Sequence, residues 1–315
     1  MSINPSYLEK FVVSTAKAAV GAYPFIGKND KKLVDKGAVD EMRKELNSID
    51  MKGKVVIGEG EMDDAPMLYI GEKLGTNNGQ EFDIAVDPIE GTNFVAKNLP
   101  NAISVIAVTK KNCLLAAPDT YMEKIAIGPN PKKNLLDLDN TVEKNIRLLS
   151  ESINKPINEI TACVLERPRH NKIIKSLKEL GVTIKFITDG DITPAIETCE
   201  PQSGIDIYMG IGGAPEGVLA AAALSALGGQ IQGRFVFKDQ KEIDRAHSMG
   251  IKDINKKYYT DDMVKGDVIF SASAITNCSL LNGVKKENKT FTVSSLAIHK
   301  SANIKKRVKN TFFYE

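Results

Sequence analysis

The chain has 315 residues, 42% of them hydrophobic and 26% charged, proportions that exclude a disordered protein and support a substantial buried core. Its 42 Lys and Arg nearly balance 40 Asp and Glu, leaving a net charge of +2 and no broad basic field of the kind a nucleic-acid binder needs. The four cysteines (Cys113, Cys163, Cys199, Cys278) are far apart, with no CxxC and three histidines in the whole chain, which argues against a zinc site or a disulfide framework and for lone thiols in a reducing cytosol.

The apolar stretch at the N-terminus is interrupted by Glu9, Lys10 and Lys17, so it lacks the compact core of a signal peptide. No run approaches the ~18 apolar residues of a membrane span. A soluble, cytoplasmic protein is expected. Leu8, Val12, Ala16, Ala19 and Tyr23 recur at helical spacing and predict a first helix. Ala38, Met42 and Leu46 predict a second, after a polar turn at Gly27–Asp30. From residue 54 short β runs take over: KVVIG, FDIAVD, NAISVIAV and YMEKIAIG. TVEKNIRLLSESIN reads as a helix closed by Pro156.

Strand and helix then alternate. ITACVLE precedes PRHNKIIKSLKELG, VTIKFIT precedes DGDITPAIE, and IDIYMG leads through a glycine turn into the alanine-rich helix of GIGGAPEGVLAAAALSALGG. FTVSSLAIH and KKRVKNTFFYE read as closing strands. The pattern predicts an α/β fold in two parts, 1–157 and 158–315.

Chemistry concentrates at strand ends. In GEGEMDDAPM (58–67), Glu59, Glu61, Asp63 and Asp64 follow the apolar strand KVVIG directly. Four such carboxylates repel one another unless divalent cations cancel the charge; otherwise they are a solvated acidic turn. In FDIAVDPIEGTNF the strand should end at Asp87, since Pro88 cannot continue the ladder. A turn there would let Asp87 and Glu90 face one ion, while Gly91 and Thr92 start a helix whose free N–H groups suit a phosphate. GIGGAPEGV (210–218) is not a dinucleotide loop, because Pro215 breaks GxGxxG, nor a P-loop, because no GK[ST] follows. It opens a helix with Glu216 in its first turn. ERPRH supplies Arg167, Arg169 and His170 beyond a strand end, where guanidinium forks suit phosphate. Asp189, Gly190 and Asp191 could accept hydrogen bonds from sugar hydroxyls. Lys31 and Asp35 stand at i, i+4, a spacing whose default is a surface ion pair.

DPIEGT after an apolar strand, with GEGE ahead of it, resembles the metal-dependent, lithium-sensitive sugar and inositol phosphatase superfamily. VVIGEGEMDDAPMLYIGEKLG, DIAVDPIEGT, ERPRH, DGD and GIGGAPEGV, in that order, narrow the resemblance to class II (GlpX-type) fructose-1,6-bisphosphatases, from about residue 7 to the C-terminus. The resemblance implies a layered αβαβα sandwich of two sheets with the site between its halves, usually in a homodimer or homotetramer. It implies that Asp35, Glu59, Asp87, Glu90 and Glu216 hold two or three Mg²⁺ or Mn²⁺ ions. Gly91 and Thr92 would sit against the scissile phosphate with Lys31 and Asp63 nearby. Tyr121, Arg167, Pro168, Arg169, Asp189–Gly190–Asp191 and Gly213 would line the sugar and its second phosphate, with Glu90 also at the substrate. Two stretches depart from the family pattern: SASAITNCSLL carries Ala274 and Cys278 for expected glycines, and AIHKSANIKKRV carries His299 for an arginine.

The implied reaction is attack of a metal-activated water on the 1-phosphate of fructose 1,6-bisphosphate. Thr92 would orient the water and Glu61 or Asp63 accept its proton. No Cys or His nucleophile is placed to form a phosphoenzyme. The alternatives are a dual enzyme taking sedoheptulose 1,7-bisphosphate, an inositol monophosphatase-like phosphomonoesterase, and, from another class, a sugar-phosphate sensor without turnover.

Overall fold

The computed structural model describes residues 2–58 and 67–313. Glu59, Glu61, Asp63 and Asp64 therefore lie outside the described residues. The expected N-terminal helices are α1 (Tyr7–Ala22) and α2 (Lys31–Asn47). The periodic residues of both are buried except Tyr23, which is half-buried one residue past the end of α1, and the Asp30 side chain caps α2 by accepting from Leu33 N at 3.1 Å. The helices cross where Gly21 meets Gly37, and a Cβ on either would overlap the other's carbonyl oxygen.

The chain continues through β1 (Met51–Ile57), β2 (Lys73–Leu74), β3 (Gln80–Glu90), α3 (Thr92–Ala96) and β4 (Ile103–Lys110). There follow β5 (Tyr121–Ile127), α4 (Val142–Ile153), β6 (Thr161–Leu165), α5 (Asn171–Glu179), β7 (Thr183–Ile187) and α6 (Ile192–Glu197). Next come β8 (Ile207–Gly213), α7 (Ala214–Leu227), β9 (Gln230–Val236), α8 (Gln240–Ser248), β10 (Tyr258–Tyr259) and α9 (Thr260–Met263). β11 (Val268–Ala274), β12 (Lys285–Glu287), β13 (Thr290–His299) and β14 (Ile304–Phe313) close the chain.

These elements form two compact units, the first Met1–Leu115 with Val264–Glu315, the second Ala116–Met263. The division differs from the expected boundary at 157/158. β5 pairs with β8 and β9, which places it in the second unit, and β11 returns to pair antiparallel with β4, Val268 opposite Thr109. The α/β class with two sheets is the one expected. Among the described residues the first unit holds an eight-stranded sheet, order β12-β13-β11-β4-β3-β1-β2 with β14 on β13. α1 and α2 bury their apolar faces with those of this sheet in one core. The second unit holds a six-stranded sheet, order β10-β9-β5-β8-β6-β7. α4 and α5 cover one face of it, burying Ile146, Leu149 and Leu177 against Ile125, Val164 and Ile207.

His299 is an interior residue. It is fully buried in the first unit, its Nε2 3.0 Å from Asp267, which also accepts from Ile3 N at 2.6 Å and Ser301 Oγ at 2.7 Å. Burial alone would raise the Asp267 carboxyl, but these donors overcome it and hold the group down at about 2. His299 Nε2 thus joins a local network that also holds Ile3, while its buried Nδ1 has no partner among the described residues. Ala274 is buried in β11 opposite Ile103, a strand position that needs no glycine.

Candidate active site

In the first unit β1 and β3 run parallel, so Gly58 leaves β1 at the same sheet end as Asp87 and Glu90 leave β3. Pro88 does not stop β3. It interrupts the ladder to β4, whose register breaks between Asp87 and Glu90 and resumes at Glu90 opposite Ile103. Proline has no N–H to donate there. Asp87 Oδ1 bridges the break by accepting from Ile89 N at 2.8 Å. The irregularity brings carboxylate oxygens of Asp87 and the buried Glu90 within 4.8 Å of each other.

Gly91, at φ +87°, turns the chain from β3 into α3; a Cβ there would strike the Phe94 ring. Thr92 Oγ1 donates to Asp35 Oδ1 at 3.0 Å, joining α3 to α2. Burial pushes the Asp35 carboxyl up, opposed by the Thr92 hydrogen bond and the Lys31 charge. Lys31 itself is exposed on the first turn of α2. The first unit thus brings Asp35, Thr92, Asp87, Glu90 and Gly91 to neighbouring positions on α2, β3 and α3.

In the second unit β8 runs straight into α7 without the expected glycine turn: the strand includes Gly210, Gly212 and Gly213, and the helix begins at Ala214. The glycines make room for side chains. A Cβ at Gly212 would collide with Asp191 Oδ2, and one at Gly213 with Glu216 Oε2. Glu216 Oε2 is buried and has no hydrogen-bond partner among the described residues. Burial, then the Asp191 charge, push the Glu216 carboxyl up, with Lys124 opposing.

Tyr121 pairs with Gly213 across β5 and β8. The Arg169 guanidinium lies 4.9 Å from the Tyr121 ring centre and donates to Ile211 O at 2.8 and 3.0 Å. Arg167 donates to Thr188 O, beside Asp189, and to Glu166 O at 3.1 Å. Asp189 folds back on Gly190 N at 3.2 Å, and Gly190, at φ +66°, makes the turn that delivers the buried Asp191. Tyr121, Arg167, Pro168, Arg169, Asp189, Gly190, Asp191, Gly213 and Glu216 therefore gather at one end of the second sheet. How residues 59, 61 and 63 stand to any of these is outside the described residues.

Three residues here escaped the sequence reading. Lys238 stands 4.8 Å from the Tyr121 ring centre. Lys124 is buried on β5, in ion-pair contact with Asp191. Its one signal is a charged Glu123–Lys124 pair inside a strand that is otherwise apolar. His170 belongs to ERPRH, a pattern that by itself assigns it no role. It is fully buried: its Nε2 accepts from Ile211 N at 2.7 Å, so Nδ1 carries the proton and donates to Leu165 O at 2.7 Å.

Protonating His170 would aim a second donor at Ile211 N–H, and burial accordingly holds its pKa below the usual histidine value of 6.5. The unfolded chain therefore takes up the proton first as pH falls. The stability that His170 contributes is complete above pH 6.5 and is lost as pH falls through the lowered value. Thermal melts from pH 8 to 5 should show a wild-type decline that is shallower in His170→Asn. Parallel curves would remove His170 from the acid-sensitive groups.

The family described as "Bacterial fructose-1,6-bisphosphatase, glpX-encoded" matches residues 6–312. The Escherichia coli (strain K12) protein named fructose-1,6-bisphosphatase 1 class 2 is 41% identical over 96% of this chain and 93% of its own. A Prochlorococcus marinus protein named D-fructose 1,6-bisphosphatase class 2/sedoheptulose 1,7-bisphosphatase is 40% identical over 94% of this chain and 93% of its own. The solved inositol monophosphatase from Anabaena covers 61% of this chain and 69% of its own at 12% identity and a TM-score of 0.31, a likeness too slight to bear on the fold. A match across nearly the whole length, to the family and to its named members alike, places the chain in the bacterial glpX-encoded fructose-1,6-bisphosphatase family.

Proposed function

We propose that this chain hydrolyses the 1-phosphate of D-fructose 1,6-bisphosphate to D-fructose 6-phosphate and phosphate, the gluconeogenic step. Its 41% identity over 96% of the chain to a protein named for that reaction carries the reading, and the site chemistry agrees with it. Asp35, Glu59, Asp87, Glu90 and Glu216 are the ligands of two or three Mg²⁺ or Mn²⁺ ions. Their donors are all carboxylate oxygens, with no His or Cys, which suits hard cations. The buried Glu216 Oε2, unpartnered among the described residues, is an acceptor of the kind such an ion satisfies. When bound, the ions supply Lewis acidity and neutralise charge on the phosphoryl group.

The remaining roles belong to side chains. Gly91 and Thr92 sit against the scissile phosphate, with Lys31 and Asp63 nearby. Because Thr92 gives its proton to Asp35 at 3.0 Å, its oxygen lone pairs are left to accept from the attacking water and so aim it. Glu61 or Asp63 takes the water's proton. Tyr121, Pro168, Arg169, Arg167, Asp189, Gly190, Asp191 and Gly213 hold the sugar and its second phosphate. No helix among the described residues is long and apolar enough to cross a membrane; the enzyme works in the cytoplasm, as a homodimer or homotetramer. Nucleic acid and membrane take no part.

Phosphate release from a substrate panel tests the assignment. Fructose 1,6-bisphosphate should be turned over with Mg²⁺ or Mn²⁺, and inositol 1-phosphate and fructose 1-phosphate far more slowly. Sedoheptulose 1,7-bisphosphate tests the second activity in the name of the Prochlorococcus relative. Preference for inositol 1-phosphate would overturn the reading.

The arginines separate binding from chemistry. A grip on the non-reacting phosphate is the same in ground and transition states. Arg169→Ala and Arg167→Ala should therefore raise KM about 10- to 100-fold, a charge-assisted contact being worth ~1.5–3 kcal/mol, with kcat nearly intact. Collapse of kcat at constant KM would place them at the scissile phosphate instead.

A further inference from the structure

Lys124 lies on β5 opposite Gly210 of β8 and Gly233 of β9, on the face that carries Met122. Its stem passes beneath the start of α7, where a Cβ on Gly217 would come 3.2 Å from Lys124 Cδ. The buried ammonium makes an ion pair with Asp191 and donates to Gly213 O at 2.8 Å. The same Asp191 oxygen accepts from the fully buried Tyr208 hydroxyl at 2.8 Å. Gly212 and Gly213 have no side chains because Asp191 and Glu216 fill that space from either side of the strand end.

Burying an ammonium costs several kcal/mol before any pairing is counted, and apolar residues of similar volume often replace such pairs without loss of stability. Fold stability alone therefore does not call for a lysine at 124. Its charge has a use if the two nearby carboxylates have different tasks. Glu216 Oε2 has no partner among the described residues, whereas Asp191 Oδ2 is engaged by both the Lys124 ammonium and the Tyr208 hydroxyl.

We propose that Lys124 is a positioning residue that acts as a resident cation: it satisfies Asp191 so that this carboxylate is withheld from divalent metal and held in place for a sugar hydroxyl. The inference rests on the reading given under Proposed function, which makes Glu216 a metal ligand and Asp191 a substrate ligand. Remove the ammonium, and Asp191 becomes a further hard ligand beside Glu216. Metal binding then tightens while substrate binding weakens. Simple loosening of the fold would weaken both.

Lys124→Met, Lys124→Gln and wild type are compared by Mn²⁺ titration calorimetry on metal-stripped protein, by steady-state kinetics and by thermal melting. Both variants should bind Mn²⁺ about 10-fold more tightly, the scale on which groups behind a metal ligand act. Both should raise KM for fructose 1,6-bisphosphate about 10-fold, the worth of one hydrogen bond to a charged group. Gln can still donate to Gly213 O, so wild-type Mn²⁺ affinity and KM in Lys124→Gln would mean that the charge is not the operative element and would overturn the proposal. Weakened Mn²⁺ binding with a lowered melting temperature would overturn it in favour of a purely structural ion pair.

Should Lys124→Met not fold, Lys124→Met with Asp191→Asn removes both charges. Wild-type Mn²⁺ affinity with raised KM then supports the proposal, and tightened Mn²⁺ binding in that pair refutes it, since Asp191 would not be the added ligand. The wild-type arms stand apart from these comparisons. Absence of both Mn²⁺ binding and phosphate release in wild type would refute the phosphatase reading itself, whereas the Lys124 proposal is read only from differences between variant and wild type.

Discussion

Thr92→Ala should lower kcat about 100- to 1,000-fold, the scale on which a lost transition-state hydrogen bond of ~2.7–4 kcal/mol is felt. The substitution removes one hydroxyl and one methyl from a half-buried position, so the fold should survive it. KM should move little, because the hydroxyl acts on the water rather than on the sugar. Thr92→Ser keeps the hydroxyl and should restore most of kcat. Wild-type kcat in the alanine variant would reduce Thr92 to a tie between α2 and α3.

Stripping the metal should abolish phosphate release altogether, and Mn²⁺ or Mg²⁺ should restore it. The protein should also become easier to melt, because clustered carboxylates then repel one another unshielded. An ion at 100 times its dissociation constant stabilises the native state by about 2.7 kcal/mol. For a 315-residue chain that is a shift of the midpoint of roughly 4 °C. Glu216→Gln should reduce that metal-dependent shift, since Gln cannot supply the anionic oxygen. Full activity in excess chelator would refute a metal mechanism.

Of the candidate ligands, Asp87, Glu90 and Glu216 are announced by their neighbours, whereas Asp35, spaced as an ion pair with Lys31, is reached only through the family resemblance. Asp87 and Glu90 sit around a proline that the ladder cannot absorb, and Glu216 follows glycines at a strand end. The helices α1 and α2 were legible from apolar spacing, which their burial bears out. β11 was not, because all seven of its residues are buried and the run VIFSASA lacks the alternation that marks a half-exposed strand. The boundary between the units was illegible for a related reason. Strand β5 looks the same in sequence whether it pairs with β4 or with β8, and only long-range registry decides. Lys124 was missed because a lysine is read as exposed by default. His170 went unassigned because its two partners are backbone groups, one of them 41 residues away.

The return of the chain at Val264 has a bearing on synthesis. Leu114 and Val264 form a bridge and Lys265 N donates to Cys113 O at 2.8 Å, so the whole of Ala116–Met263 leaves and re-enters the first unit at one clasp. On the ribosome, β4 emerges long before its neighbour β11, and its edge waits while the intervening unit is made. The second unit, continuous in sequence, has every strand of its own sheet in hand before the first unit does. Nascent chains stalled after residue 263 should therefore protect the second unit from protease while leaving β3 and β4 cleavable. By the same logic, a short linker from Leu115 to Val264 would give the first unit a local β4–β11 connection and a faster route to its sheet.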